Sequence, residues 1–473
     1  MSEAKVTVEM AGALVPVVAM LERMLEEVRG LPDGRGVEWT VHERLKAIDR
    51  ASMEVCVQEK AREAAERDIR EVRCPHCEDE WAVLLDPRAP RRIVTVRGAI
   101  RYERAIYRCA RRDCQRQRSP FDEELGLEGK ERFTPLVQDK IAWAGALFGS
   151  FEKARADMEH QVELPVSASA IHRITAKAAQ RALALQEREV RERGAPASLE
   201  HPIPVGQRPQ TLVLEMDGTC AMGRDGEGHE VKCGTVFGLD ARAKTGSPGK
   251  ERPILLNRSY CATSKGIEAF APMLWALASW WGVRSAPRVV VLGDGIEWIW
   301  NWVRDRLPRV LADGSQAIVI EIIDFYHAAE NLFKAATAIY ADPKSPPAVQ
   351  WYETWKDRLR QGQIEPLLEE LEKRRKAART ETRRDELRLR AAYFRNHQHR
   401  MRYAQFEAMD LPIGSGAIEG TCKNLVKGRL DGVGMRWGVQ IGIEQMVALR
   451  VRWFNGRWND LWPHGQFLDA QAA

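Results

Sequence analysis

Four cysteines are spaced as a metal site. They form two knuckles, Cys74-Pro-His-Cys77 and Cys109-Ala-Arg-Arg-Asp-Cys114. Such pairs bring two thiolates to a tetrahedral ion from each side, and a closed set of four sulfurs suits structural Zn²⁺ rather than catalysis. The short region that holds them has little apolar sequence and would draw its folding energy from the metal. Cys56, Cys220, Cys233, Cys261 and Cys422 are scattered. In a reducing compartment the grouped four read as ligands, not as disulfides. His76, between two of them, reads as a neighbour of the metal.

A second chemistry lies in acids that directly follow apolar runs. Asp217 closes Leu212-Val-Leu-Glu-Met-Asp-Gly218, Asp294 closes Val289-Val-Val-Leu-Gly-Asp-Gly295, and Asp324 closes Ile318-Val-Ile-Glu-Ile-Ile-Asp324. Ligands gather at strand ends in open α/β sheets. Carboxylates there are hard oxygen donors suited to Mg²⁺ or Mn²⁺. Two such ions stabilise the attacking and leaving oxygens of an in-line phosphoryl displacement. A fourth acid, Glu419, stands with Lys423 and Lys427 at i, i+4 and i+8, on one face of a helix that Ser415 can cap. The carboxylate would ligate metal and the lysines grip nearby phosphates. His327 could orient an attacking water or contact a scissile phosphate, or be satisfied within the fold. The residues alone do not choose between Asp294 and Asp324 as the second ligand. Element order favours Asp294, because the strand after the first crossover helix neighbours the first strand in an RNase H-like sheet.

The elements that must position these groups follow from composition and periodicity. Residues 1–71 read as charged helices broken at Pro32-Asp-Gly34. Residues 72–120 read as a zinc ribbon, with β-rich runs at 93–96 and 100–107 around Arg97-Gly98. Arg91, Arg92, Arg97, Arg101, Arg104, Arg108, Arg111, Arg112, Arg116 and Arg118 surround it, which leads one to expect phosphate contacts. Residues 130–195 carry three helical stretches, opened at Pro135, Ser150 and Ala168, and suit a helix-turn-helix-like DNA-binding region. Ser167, Ser169, His172 and Arg173 would then lie nearest a groove. A proline-rich linker, 194–210, follows.

After the linker come strands at 211–216, 231–239 and 253–261, a helix capped by Ser264, a strand at 289–292, a helix from Glu297, and a strand at 317–323. That order describes an α/β domain whose first three strands form an antiparallel meander. The expected fold is multidomain α/β, with an RNase H-like core in two parts, 208–329 and 411–473, around a helical insertion at 330–410. The insertion is basic, with twelve Lys or Arg between Lys373 and Arg402. Trp351 and Trp355 within it, and Trp298, Trp300 and Trp302 before it, read as packing residues, although a tryptophan can stack a flipped base.

The knuckles, Met216-Asp-Gly218, Gly293-Asp-Gly-Ile-Glu-Trp298, Asp324-Phe-Tyr-His327, Gly414-Ser-Gly-Ala-Ile-Glu419 and Gly434-Met-Arg-Trp437 occur in one order along nearly the whole chain. In this the sequence resembles the ISKra family of bacterial insertion-sequence DDE transposases, and more distantly is similar to Mutator-like transposases. The resemblance implies a catalytic triad of Asp217, Asp294 and Glu419 holding two Mg²⁺ or Mn²⁺ ions, with Asp324 and His327 as an accessory pair. It implies cutting at terminal inverted repeats and joining to target DNA by a homo-oligomer, with Arg436 added to the DNA-contacting residues. A structure-specific nuclease on the same fold, or a non-catalytic DNA-binding derivative, are the alternatives. Net charge is only +5, so any nucleic-acid interface must come from clustering. No run of about 18 apolar residues suggests a membrane span. The early apolar run, 11–21, lacks a basic start and contains Pro16, so a cytoplasmic, nucleoid-associated protein is expected.

Overall fold

The computed structural model describes residues 3–68, 72–74, 77, 82–194, 208–240, 242–245, 247, 252–311, 314–340, 342–438 and 442–462. His76 and most of the proline-rich linker lie outside the described residues. The fold is mixed α/β, in two compact units, Met1–Thr175 with Asn459–Ala473, and Ala176–Trp458. The boundary falls within one helix, Ala168–Gly194. No described helix is long and apolar enough to cross a membrane.

The first unit begins with helices α1 (Glu3–Arg29) and α2 (Val37–Asp68). Between them Asp33 accepts the Arg35 N–H at 2.9 Å and sets a short 3₁₀ turn. Strands β1 (Ala82–Thr95) and β2 (Gly98–Cys109) form an antiparallel hairpin, and Gly98 takes the positive φ its turn needs, +105°. A short β3 (Gln117–Arg118) adds to β2. Ile93, Ile100 and Tyr102 of the hairpin pack with Ala61 and Ala64 of α2 and with Phe121.

Phe121 belongs to α3 (Pro120–Glu124), which also buries Asp122. Asp122 accepts hydrogen bonds from Arg91, Tyr102 and Arg104, the last from Nε at 3.1 Å. Arg97 pairs with Asp49, Arg111 with Asp113 and Arg118 with Glu123. Five of the ten arginines expected to face phosphates are thus engaged by acids of the fold itself. Helices α4 (Pro135–Leu147), α5 (Phe151–His160) and α6 (Ala168–Gly194) follow. Ser150 caps α5 through its hydroxyl, 3.1 Å from the Lys153 N–H. At Gly145 of α4 a Cβ would stand 2.0 Å from Oγ1 of Thr175, so only glycine lets these helices approach so closely.

The second unit is built on a five-stranded sheet of order β10-β9-β4-β5-β8. Strands β4 (Thr211–Met222) and β5 (Gly228–Gly238) pair antiparallel, and β8 (Ser259–Thr263) extends them. The expected strand at 253–261 is divided. Its first part, β7 (Arg252–Leu255), pairs with β6 (Arg242–Thr245) in a separate ribbon, and only its end joins the sheet. Helix α7 (Ile267–Trp280) starts after Gly266, not at Ser264. The Ser264 hydroxyl and N–H instead bond to Glu444, at 2.9 and 2.6 Å. Strand β9 (Arg288–Gly293) pairs parallel to β4, helix α8 (Glu297–Arg306) crosses over, and β10 (Ile318–Ile323) pairs parallel to β9. The core strands are continuous apolar runs because both faces are covered. Leu212, Val213 and Leu214, like Val289 to Leu292, are fully buried.

Helices α9 (Phe325–Tyr340), α10 (Pro346–Arg360), α11 (Ile364–Ala377), α12 (Glu381–His397) and α13 (Tyr403–Ala408) form the insertion. Trp351 and Trp355 are buried in its core, as are Trp300 and Trp302 of α8. Much of its basic charge is answered locally, as in the pairs Arg374–Glu370, Arg375–Glu372 and Arg384–Glu381. The chain then returns to the sheet through α14 (Gly416–Thr421), a π-helical stretch (Cys422–Lys427), α15 (Gly428–Leu430) and α16 (Ile443–Phe454).

Candidate functional site

The four knuckle cysteines converge. Cys74 Sγ lies 3.8 Å from Cys114 Sγ and Cys109 Sγ lies 3.9 Å from Cys77 Sγ. All four sulfurs fall within 4.8 Å of one another. Tetrahedral zinc with Zn–S bonds of about 2.3 Å separates its sulfurs by roughly 3.8 Å, so this group could hold a metal such as zinc. The hairpin supplies Cys109 at the end of β2, where its N–H bonds to the Arg116 carbonyl at 2.9 Å, and this brings Cys114 back beside it. Hydrogen bonding to Cys114, then burial, holds the Cys77 thiol up at about 12. Thiols crowded in this way ionise together only with a cation between them.

The three acids reach one level of neighbouring strands. Asp294 and Asp324 lie just past the ends of β9 and β10, whereas Asp217 lies within β4, which does not stop at 216 but stays paired with β5 as far as Met222. Glu215 of β4 pairs with Leu292 of β9, so Asp217 and Asp294 each stand two residues further on. Ile323 of β10 pairs with Gly293, and the Asp324 N–H bonds to the Gly293 carbonyl at 2.9 Å. Burial first, then the charge of Asp324, raises the Asp217 carboxyl above the usual range, and burial first, then the charges of Asp217 and Asp324, raises that of Asp294. Backbone N–H groups and His327 act in the opposite sense on both.

Asp324 differs from its neighbours. It is buried and its oxygens are taken up by the fold. Oδ1 accepts the N–H groups of Tyr326 (2.6 Å) and His327 (3.1 Å), and Oδ2 accepts the N–H (2.6 Å) and the hydroxyl of Ser415. Ser415 therefore does not cap α14 with its side chain; it is held by Asp324. Nδ1 of the half-exposed His327 lies 4.0 Å from Asp324.

Glu215 was not foreseen as a site residue. It is buried, and its Oε2 accepts the Ile418 N–H at 2.8 Å. Its sequence signal is a lone acid within the apolar run of β4, two residues before Asp217 and so on the same face. Glu215 and Asp324 together fix the start of α14 against β4 and β10.

Glu419 lies on that helix, exposed, as do Lys423 and Lys427 on the π-helical stretch. The turn from α to π spacing departs from the uniform i, i+4 row expected of them. Arg450 donates to the Leu425 and Asn424 carbonyls, both at 2.6 Å, in the widened turn. Among the described residues the cysteine quartet is the one group of three or more potential ligands drawn within 4.8 Å. Asp217, Asp294 and Glu419 share one end of the sheet but are not drawn together to that distance.

Of the remaining expected DNA contacts, Ser169 is exposed at the start of α6. The His172 ring packs edge-on against Phe151, with centroids 4.9 Å apart. Arg173 is turned to Glu131, 2.6 Å away, rather than outward alone. Arg132, Arg92 and Arg173 line an open hollow of about 550 Å³ beside Ser167 and Ser169. Arg436 is exposed, and its Nη1 donates to the Met435 carbonyl at 2.8 Å.

Fold and site define a multidomain α/β protein with a four-cysteine group and a row of acids on one level of a mixed sheet. The chain belongs to the uncharacterised protein family UPF0236, whose family model matches residues 41–462. No curated protein matches it.

Metal analysis of the purified protein is expected to give about one tightly held zinc per chain. Zinc retained in full by the double variant Cys74→Ser, Cys114→Ser would contradict the assignment. A second expectation concerns Glu215, whose carboxyl is pushed from 4.5 up to about 8, mainly by burial. Between those values the folded chain keeps a proton that the unfolded chain has lost, so stability falls as pH rises through that window. Glu215→Gln, which keeps an acceptor for Ile418, should flatten this fall in urea unfolding from pH 5 to 8.5 without added divalent ions. An unchanged slope would refute the raised carboxyl.

Proposed function

We propose that this protein is a DNA transposase with an RNase H-like core. In this reading it binds the ends of an insertion sequence and uses two divalent metal ions to cleave and then join DNA strands. The observation that carries the reading is the row of acids. Asp217 within β4, and Asp294 and Asp324 just past the ends of β9 and β10, stand on adjacent strands of a sheet of three antiparallel strands followed by two parallel ones, an order that supports the RNase H-like reading. The resemblance of the ordered motifs to the ISKra family supports it independently.

Asp217, Asp294 and Glu419 are the proposed ligands for Mg²⁺ or Mn²⁺. The Asp217 and Asp294 carboxyls, held up by burial and by neighbouring aspartates, are poised to gain from a cation, which removes both penalties at once. The saturated oxygens of Asp324 support an accessory, positioning role for it rather than direct ligation. Bound there, the ions would supply activation of water and then of the freed 3′-hydroxyl, without a covalent link to the protein. His327, whose charge acts on both Asp217 and Asp294, is the proposed contact to the water or the phosphate. The zinc group and the basic hollow at α6, with Lys423, Lys427 and Arg436, are the proposed contacts to double-stranded DNA.

The test uses duplex DNA carrying the inverted repeats that flank the gene, in Mn²⁺. Asp217→Asn, Asp294→Asn and Glu419→Gln should each bind this DNA and cut it no faster than background. Asp324→Asn replaces an acceptor with an amide donor facing the Ser415 N–H. It should lower the melting temperature and leave partial cleavage, whereas Asp217→Asn should not destabilise the fold. Cleavage without strand joining would favour the nuclease alternative. Binding without cleavage by the unaltered protein would favour a non-catalytic derivative.

A further inference from the structure

The turn that carries Asp294 is covered by the helical insertion, about a hundred residues further along the chain. A Cβ at Gly295 would lie 2.5 Å from Cε2 of Tyr393 and 3.3 Å from Nε2 of His397. Both side chains come from the last turns of α12, and their rings are 5.2 Å apart. Tyr393 is wedged in place, with its ring edge-on to Phe394 at 5.4 Å and its hydroxyl buried without a hydrogen-bond partner. A ring so confined cannot yield to an added methyl as a flexible side-chain end would.

His397 is fixed from both sides. Its Nδ1 faces Nη1 of Arg400 at 3.0 Å, and its Nε2 stands against Gly295, 3.3 Å from where a Cβ would lie. An arginine only donates, so Nδ1 is the acceptor and Nε2 carries the proton, turned toward the Gly295 peptide. Arg400 is held in turn by Glu321 of β10 at 2.7 Å and lies over the Trp300 ring of α8 at 4.2 Å. Burial first, then the charge of Arg400, lower the His397 pKa to about 4, so the ring is neutral throughout the working range. The chain of contacts runs from β10 through Arg400 and His397 to the peptide that follows Asp294.

We infer that Tyr393 and His397 are positioning residues, through which the helical insertion sets the backbone of the Asp294 turn and so the placing of its carboxylate for metal. The inference rests on the proposed function, because it takes Asp294 as a metal ligand. Neither side chain is assigned contact with DNA or metal. The insertion acts as a part of the active centre rather than as a separate DNA-binding appendage. Groups that orient metal ligands from behind typically cost 10- to 100-fold in metal affinity or activity when removed.

The test uses the full chain and two readouts: Mn²⁺ affinity, from the electron-spin signal of the free ion, and cleavage of the inverted-repeat duplex. Gly295→Ala should weaken Mn²⁺ binding and slow cleavage by about 10- to 100-fold while DNA affinity is kept. The same change made in a Tyr393→Leu background should cost far less, because the wedge it strikes has gone. His397→Ala should reproduce the loss, and His397→Gln, which can still donate toward the Gly295 peptide, should recover most of it. Should Gly295→Ala fail to fold, the His397 pair carries the test alone. A Gly295→Ala penalty undiminished in the Tyr393→Leu background would overturn the inference. So would His397→Ala with unchanged Mn²⁺ affinity. Full cleavage by Asp294→Asn would instead overturn the reading on which it rests.

Discussion

Two buried carboxylates hold the candidate active centre together. Glu215 in β4 and Asp324 after β10 accept the backbone N–H groups of Ile418 and Ser415. These are the leading donors of α14, which no earlier turn of helix can satisfy. A carboxyl oxygen accepts such N–H groups even where the group keeps its proton, as Glu215 does below about pH 8. These hydrogen bonds join the segment carrying Glu419 to the strands, together with the Phe325–Ile413 and Trp437–Met222 backbone bonds and the buried side chains of Ile418, Leu425 and Val426. The sheet brings two acids to one level by register; the third comes from a segment that is tied to the sheet by these contacts.

The arrangement opposes stability. Burial and proximity disfavour the charged forms of Glu215, Asp217 and Asp294, and all three carboxyls are held above their usual range. Glu215 is relieved in part by backbone donors. Asp217 and Asp294 retain spare lone pairs on one level of the sheet, answered in part by His327 and backbone N–H groups, and a cation there would offset the remaining cost. The basic residues show the contrast. Arg91 and Arg104 on Asp122, Arg97 on Asp49, and Arg374 on Glu370 are paired within the fold, so the sign of a segment's charge is a poor guide to what it touches.

Much of this was legible in the sequence, for identifiable reasons. Knuckle spacing brings the cysteines together because each pair is local and the hairpin between them is short. Unbroken apolar runs such as 289–292 mark strands covered on both faces. Asp294 and Asp324 just after such runs fall past the strand ends, whereas β4 runs on through Asp217 to Met222 because β5 keeps pairing with it. What escaped depends on contacts between distant segments. The run 253–261 has the composition of one strand, yet Arg252–Leu255 pairs with Arg242–Thr245 and leaves the sheet. Ser264 and Ser415 look like helix caps, but Glu444 and Asp324 claim their hydroxyls. Glu215 reads as an interruption in a strand until Ile418 is seen against it. Tyr393 and His397 carry no local mark of their approach to Gly295, because that contact is set by the packing of α12.

The central claim is that Asp217, Asp294 and Glu419 form one divalent-metal site, with Asp324 holding the scaffold. Crystals of the protein with terminal DNA, grown with Mn²⁺ and measured at the manganese absorption edge, test it most directly. The account predicts anomalous peaks beside Asp217, with Asp294 and Glu419 supplying oxygens and Asp324 still bonded to Ser415. Manganese ligated by Asp324 and not by Asp294, or no manganese at this end of the sheet, would contradict it.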